Sequence, residues 1–166
     1  MSQEGKYPDS QNKDSFEEGL EYQDLVMDAL AKHGWIIQNY TSKKGQFTKG
    51  ENRQNWEIKL DKTSETSGRL SIEIAEKTAV DRPWVKSGIY RNDSLLYIHG
   101  NRNTIWIFQT YMLKCLHRKT EKDGTKRYQE HTEKTIQGFF LPFTDADQYA
   151  ILRIDIPKQN GESLPF

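Results

Sequence analysis

The sequence predicts a mixed α/β domain in which a central β-sheet is flanked by helices. Three observations carry this. Apolar residues recur at helical spacing between Phe16 and Leu30, and short runs from Trp56 onward alternate apolar with polar residues, as strands do. The length of 166 residues and hydrophobic fraction of 34% fit one domain with a small core and a polar periphery.

Taken in order, residues 1–14, "MSQEGKYPDSQNKD", have almost no apolar content and read as a flexible acidic tail. Residues 15–157 read as a single domain and 158–166 as a C-terminal tail. Ser15 is placed to cap a helix with Glu18 three residues on, and Phe16, Leu20, Gln23, Met27 and Leu30 form one face of a helix ending near Gly34. "WIIQNY" follows as a first strand. The polar loop "TSKKGQFTKGENRQ" then brings Lys43, Lys44 and Lys49 together.

Asn55 to Lys77, "NWEIKLDKTSETSGRLSIEIAEK", contains two alternating runs that read as a hairpin. "SLLYIHG" and "TIWIFQT" are two further strands separated by Asn101, Arg102 and Asn103, and a helix runs from about Tyr111 to His117. "EKDGTKR" is an exposed turn, "GFFLPF" an apolar patch and "AILRIDI" a last strand.

The balanced formal charge hides an asymmetry. Residues 1–30 hold eight Asp or Glu against Lys6 and Lys13, a net of −6, which leaves 22 basic and 16 acidic side chains, +6, on the remainder. Such a body is compatible with a polyanionic partner, although charges on a small domain are mostly a solvated face. Cys115 is the single cysteine, so no intramolecular disulfide forms. No run approaches the ~18 apolar residues of a membrane span, and a cytoplasmic protein without membrane partners is expected. There is no Gly-rich phosphate loop, and His33, His99, His117 and His131 show no paired zinc-ligand spacing.

Strand alternation places Trp56, Ile58 and Leu60 on one face and Glu57, Lys59 and Asp61 on the other; in the second run Glu73 and Lys77 share the polar side with Ser71 and Ala75. Paired as a hairpin, Glu57, Lys59, Asp61, Glu73 and Lys77 gather on one surface. A half-solvated hairpin carries such charges too. Yet Asp is poor in strands, and two carboxylates close together call for a cation. Two carboxylates and a lysine also suit a Mg²⁺-dependent phosphodiesterase, which needs oxygen ligands for a hard cation and an ammonium beside the attacking water. Gln23, at the centre of the helical stripe, is the helical polar group that would reach the sheet.

The segments "GLEYQDLVMDALAKHGW", "GQFTKGEN", "WEIKLDK" with "SGRLSIEIAEK", and "WVKSGIYR" resemble a group of phage and bacterial proteins in the PD-(D/E)XK nuclease superfamily, related to restriction endonucleases and Holliday junction resolvases. The likeness spans about residues 16–110. It implies a restriction-endonuclease-like fold in which a helical Glu precedes a β-hairpin presenting Asp, then Glu-x-Lys. It also implies Asp61 and Glu73 as ligands of Mg²⁺ or Mn²⁺, with eleven residues between them. Two positions depart from that pattern. Ala75 stands where the lysine belongs, leaving Lys59 or Lys77 to supply the ammonium, and Gln23 stands at the helical Glu. A second alignment takes Glu57-x-Lys59 as the Glu-x-Lys, with Glu51 as the preceding acid. The resemblance implies a DNA endonuclease, acting as a homodimer where both strands are cut. The charge pattern offers Lys43, Lys44, Lys49, Lys86, Arg91 and the basic stretch from Lys114 to Lys134 as phosphate contacts, and Trp84 and Tyr90 beside Lys86 and Arg91 mix aromatics with bases as a nucleic-acid groove does, although Trp84 packs on a sheet as readily. The alternative is an inactive nuclease-fold module that binds nucleic acid or a protein.

Overall fold

A computed structural model describes residues 10–36, 56–91 and 94–157. The chain divides into two compact units, residues 1–36 and 37–166.

The described part of the first unit is one helix, α1, Ser10–Ala31. It begins five residues before Ser15, which therefore lies inside it rather than at its cap. Tyr22, Val26, Ala29 and Leu30 are its buried side chains, while Leu20, Gln23 and Met27 are only partly covered. The buried stripe is thus centred on Tyr22 and Val26, at i, i+4 and i+7, and Gln23 lies at its edge. Two apolar sets overlap along this helix and share Leu30, so spacing alone does not decide between them. Gly34, at φ 80°, ends the helix as expected: its N–H and that of Trp35 donate to Ala31 and Leu30 carbonyls. Trp35 and Ile36 are not in a strand, and the rest of "WIIQNY" lies outside the described residues.

The second unit is mixed α/β, with two four-stranded sheets in place of one central sheet. The first sheet runs β1 (Glu57–Leu60), β4 (Leu96–Gly100), β5 (Thr104–Gln109), β8 (Leu152–Asp155); β1 is parallel to β4 and the other pairs are antiparallel. The second runs β3 (Val85–Lys86), β2 (Arg69–Glu76), β7 (Ile136–Pro142), β6 (Glu130–Glu133), all antiparallel. Three helices connect them: α2 (Ser64–Ser67), α3 (Thr110–Arg118) and α4 (Phe143–Tyr149).

The expected hairpin between the Trp56 and Leu70 runs does not form. β1 pairs with β4, and β2 pairs with β7 and β3. The cause is the connection. Leu60 to Arg69 holds no tight turn but the helical turn α2, closed by Gly68 in the left-handed conformation at φ 67°, and it carries the chain from one sheet to the other. The β4 and β5 hairpin does form, around an Asx turn in which Asn101 Oδ1 accepts from the Asn103 and Thr104 N–H groups, both at 2.9 Å.

Both sheets share one core. Leu70, Ile72, Phe139 and Leu141 from the second sheet pack with Tyr97, Trp106 and Phe108 from the first, and Leu113 and Leu116 of α3 close it. Each such aliphatic side chain contributes about 1.5–3 kcal/mol by leaving water. All five residues of β4 are buried, as a strand covered on both faces must be. No helix among the described residues is long and apolar enough to cross a membrane.

Candidate active site

The gathering point of charged groups lies where the two sheets meet. Glu57 and Lys59 alternate on β1 and so share a face. Lys59 Nζ lies 3.2 Å from Glu57 Oε1 and 3.6 Å from Glu73 Oε2, with the lysine side chain 29% exposed and the carboxylates 9% and 14%. Glu73 comes from β2, just before a bulge in its pairing with β7 between Glu73 and Ala75. A bulge breaks simple alternation and re-aims side chains, so the equivalence of Glu73, Ala75 and Lys77 drawn from sequence does not survive there.

Next to the bulge, the Ser87 N–H donates to the Ile74 carbonyl at 3.1 Å, and the buried Ser87 hydroxyl donates to Glu73 Oε1. A 3-10 turn, Gly88–Tyr90, follows. Only glycine fits its first position: φ is 52°, and an added Cβ would stand 2.2 Å from the Glu73 carbonyl oxygen. Burial pushes the Glu73 carboxyl above its ordinary range; Lys59 opposes this, and the neighbouring Glu76 and Glu57 carboxylates add to it.

Asp61 is engaged by a different set of partners. Asp61 Oδ2 accepts from the Ser71 N–H at 2.7 Å and lies 3.5 Å from His99 Nε2, while Oδ1 accepts from the Ser64 N–H at 3.1 Å and the Thr63 hydroxyl at 2.8 Å. Burial alone would raise this carboxyl, but His99, the Ser71 N–H and Thr63 outweigh it and hold it at about 2. The carboxylate thereby ties α2 to β2.

Lys77 also points elsewhere. Its ammonium donates to the Val80 carbonyl at 3.2 Å and sits 4.6 Å from the Trp84 ring centroid. Arg91 reaches Glu76 at 4.0 Å and Lys86 lies beside Tyr90. Gln23 belongs to the first unit, where its Oε1 is buried without a hydrogen-bond partner among the described residues. Lys43, Lys44, Lys49 and Glu51 lie outside the described residues.

Ser87, on Glu73, and His99, on Asp61, are partners that alternation along the two runs does not reveal. Ser87 could be found only through "KSGIY", where a glycine after serine marks a tight turn. Ser71 is held on two sides, its N–H by Asp61 and its hydroxyl 2.7 Å from His131 Nε2.

Glu57 and Glu73 offer oxygen donors of the type Mg²⁺ and Mn²⁺ take, and Mg²⁺ is often held by one or two carboxylates with water and substrate phosphate completing its shell. Among the described residues no group of three or more His, Cys, Asp or Glu is placed to hold a metal ion. The donor set therefore fits a two-carboxylate site and not a protein cage.

No family model matches the chain, and no solved structure matches it. One relative is the cytoplasmic dynein intermediate light chain DYN3 of Candida glabrata, 32% identical over 75 residues. The matched stretch is 45% of this chain and 24% of that protein.

Proposed function

We propose that this chain is a cytoplasmic, divalent-metal-dependent phosphodiesterase acting on DNA, built on a restriction-endonuclease-like fold, with Glu57, Lys59 and Glu73 as its centre. The observation that carries the reading is the meeting of two carboxylates from different sheets at one ammonium, with Glu57 and Lys59 in Glu-x-Lys spacing. That arrangement favours the alignment in which "EIK" is the Glu-x-Lys motif. Glu57 takes the place beside Glu73 that Asp61 was expected to fill.

Glu57 and Glu73 would hold Mg²⁺ or Mn²⁺, which when bound supplies Lewis acidity and lowers the pKa of water. The raised Glu73 carboxyl supports this. Burial and two neighbouring carboxylates leave a demand for positive charge that Lys59 meets only in part. Lys59 neutralises charge building on a non-bridging phosphate oxygen. Ser87 fixes the rotamer of Glu73 through its hydroxyl. Cutting both strands of a duplex with so small a domain calls for two copies.

A second reading is an inactive module of the same fold that binds nucleic acid or a protein. It is favoured by the ion pairs that already satisfy both carboxylates and by Ala75. The test is a panel of duplex, branched and single-stranded DNA and RNA, incubated with and without Mg²⁺ or Mn²⁺. Divalent-dependent cleavage that Glu73→Gln abolishes supports the enzyme; binding without cleavage of any substrate transfers the case to the module.

A further inference from the structure

Away from the carboxylates, three cations surround a single aromatic ring. Lys86 Nζ, Lys114 Nζ and the Arg118 guanidinium carbon lie 5.9, 5.8 and 5.9 Å from the Tyr90 ring centroid. They come from β3 and from two positions four apart on α3, so the convergence is built by tertiary structure. These distances are at the outer limit of cation–π contact, about 6 Å, so the cations rim the ring rather than cover it.

None of the three is paired with a carboxylate among the described residues, whereas neighbouring Arg91 and Lys126 are paired with Glu76 and Glu130. Three like charges held together without a counterion raise the local positive potential and favour an anion there.

The ring itself is fixed. Its hydroxyl is 2.8 Å from His117 Nδ1, and His117 Nε2 is 2.9 Å from Glu130 Oε1. The His117 ring stacks on Phe139 of β7, which belongs to the core. A half-buried tyrosine anchored in this way loses little conformational entropy when something stacks on it.

We propose that the Tyr90 platform binds an unpaired DNA strand, its base against the ring and its phosphates among Lys86, Lys114 and Arg118. A rigid aromatic among cations suits a single strand, whose bases present their faces; a duplex keeps those faces inside its own stack. The placement deepens the proposed phosphodiesterase reading and names its substrate form. Ser87 at one end of the 3-10 turn bonds Glu73, and Tyr90 at the other end carries the platform. The turn spans about 6 Å at ~2 Å per residue, so one short turn carries both the platform and the serine that holds Glu73.

The test uses fluorescence anisotropy of the full chain with a labelled oligodeoxythymidylate, without divalent metal, over a salt series. A duplex of the same length and inorganic polyphosphate serve as competitors. The wild type should prefer the single strand. Combined Lys86→Ala, Lys114→Ala and Arg118→Ala should weaken binding at least tenfold and reduce the salt slope by about 2, at about 0.7 per lost phosphate contact. Tyr90→Leu, which keeps apolar bulk, should weaken the oligonucleotide but not polyphosphate. Unchanged affinity in the triple variant, equal binding of duplex, or polyphosphate competing as well as DNA would each overturn the platform. Its fate is separate from that of the catalytic centre. Strand binding lost in the triple variant while the wild type cleaves nothing keeps the platform and removes the phosphodiesterase; metal-dependent cleavage with strand binding unaltered in the triple variant does the reverse.

Discussion

Replacing Lys59 with methionine isolates the electrostatics of the centre, because methionine keeps the apolar stem and removes the ammonium. The lysine lies 3.2 and 3.6 Å from carboxylates that are 9% and 14% exposed. Breaking a fully buried pair in this way costs about 3–5 kcal/mol. With the lysine 29% exposed, part of that is recovered by water, and about 2 kcal/mol is the expected loss at neutral pH. The loss should depend on pH with a definite sign. The folded Glu73 carboxyl sits above its ordinary value of 4.5, so the folded form binds the proton more readily than the unfolded form. Its contribution to stability is therefore fullest below 4.5 and is lost as pH rises through the folded pKa. Lys59 limits this loss in the wild type; Lys59→Met removes that limit. Urea unfolding of both proteins at neutral pH and near pH ~4.5 should show the difference shrinking as the medium becomes acidic. Mg²⁺ at ten times its Kd should add about 1.4 kcal/mol to a folded form that binds it. A difference that is the same at both pH values, and indifferent to Mg²⁺, would refute the charge coupling.

Asp61→Asn should act on stability and not on chemistry. It places an amide where the Ser71 N–H needs an acceptor, and the drop of the folded carboxyl from 3.8 to about 2 corresponds to about 2.5 kcal/mol, present above pH 3.8 and lost as pH falls through about 2. Acid unfolding curves of the two proteins should converge at the low end; parallel curves would remove Asp61 from that role. Gly88→Ala should cost more than about 2 kcal/mol, since the backbone is left-handed and the new Cβ meets the Glu73 carbonyl. Thermal unfolding checks this, and a variant as stable as the wild type would contradict the packing of the turn on β2.

Much of the fold follows from local pattern. The two strands on either side of Asn101 and the helix after Gln109 emerge close to their expected bounds, because apolar runs, an Asx turn and a switch of period are local signals. Pairing is not local. Nothing in "DKTSETSG" distinguishes a loose hairpin loop from a helical crossover, and that one choice sends β1 and β2 to different sheets. The site inherits this. Glu57, Lys59 and Glu73 meet across the sheets, but Asp61, one step past the end of β1, turns into the α2 connection and becomes its acceptor. Lys77, beyond the bulge, leaves the face that alternation gives it. β6 was hidden by its composition: Glu130, His131, Thr132 and Glu133 show no apolar alternation, and the strand forms because β7 supplies the partner edge.

If Glu57, and not Asp61, serves the chemistry beside Glu73 as proposed, substituting each separates the two. The most direct measurement is the single-turnover cleavage rate of a DNA substrate with Mg²⁺ for the wild type, Glu57→Gln and Asp61→Asn, each corrected for its folded fraction. Glu57→Gln should lose about 10²-fold or more, and the folded fraction of Asp61→Asn should keep a rate near that of the wild type. An active Glu57→Gln beside an inactive, folded Asp61→Asn would contradict the proposal.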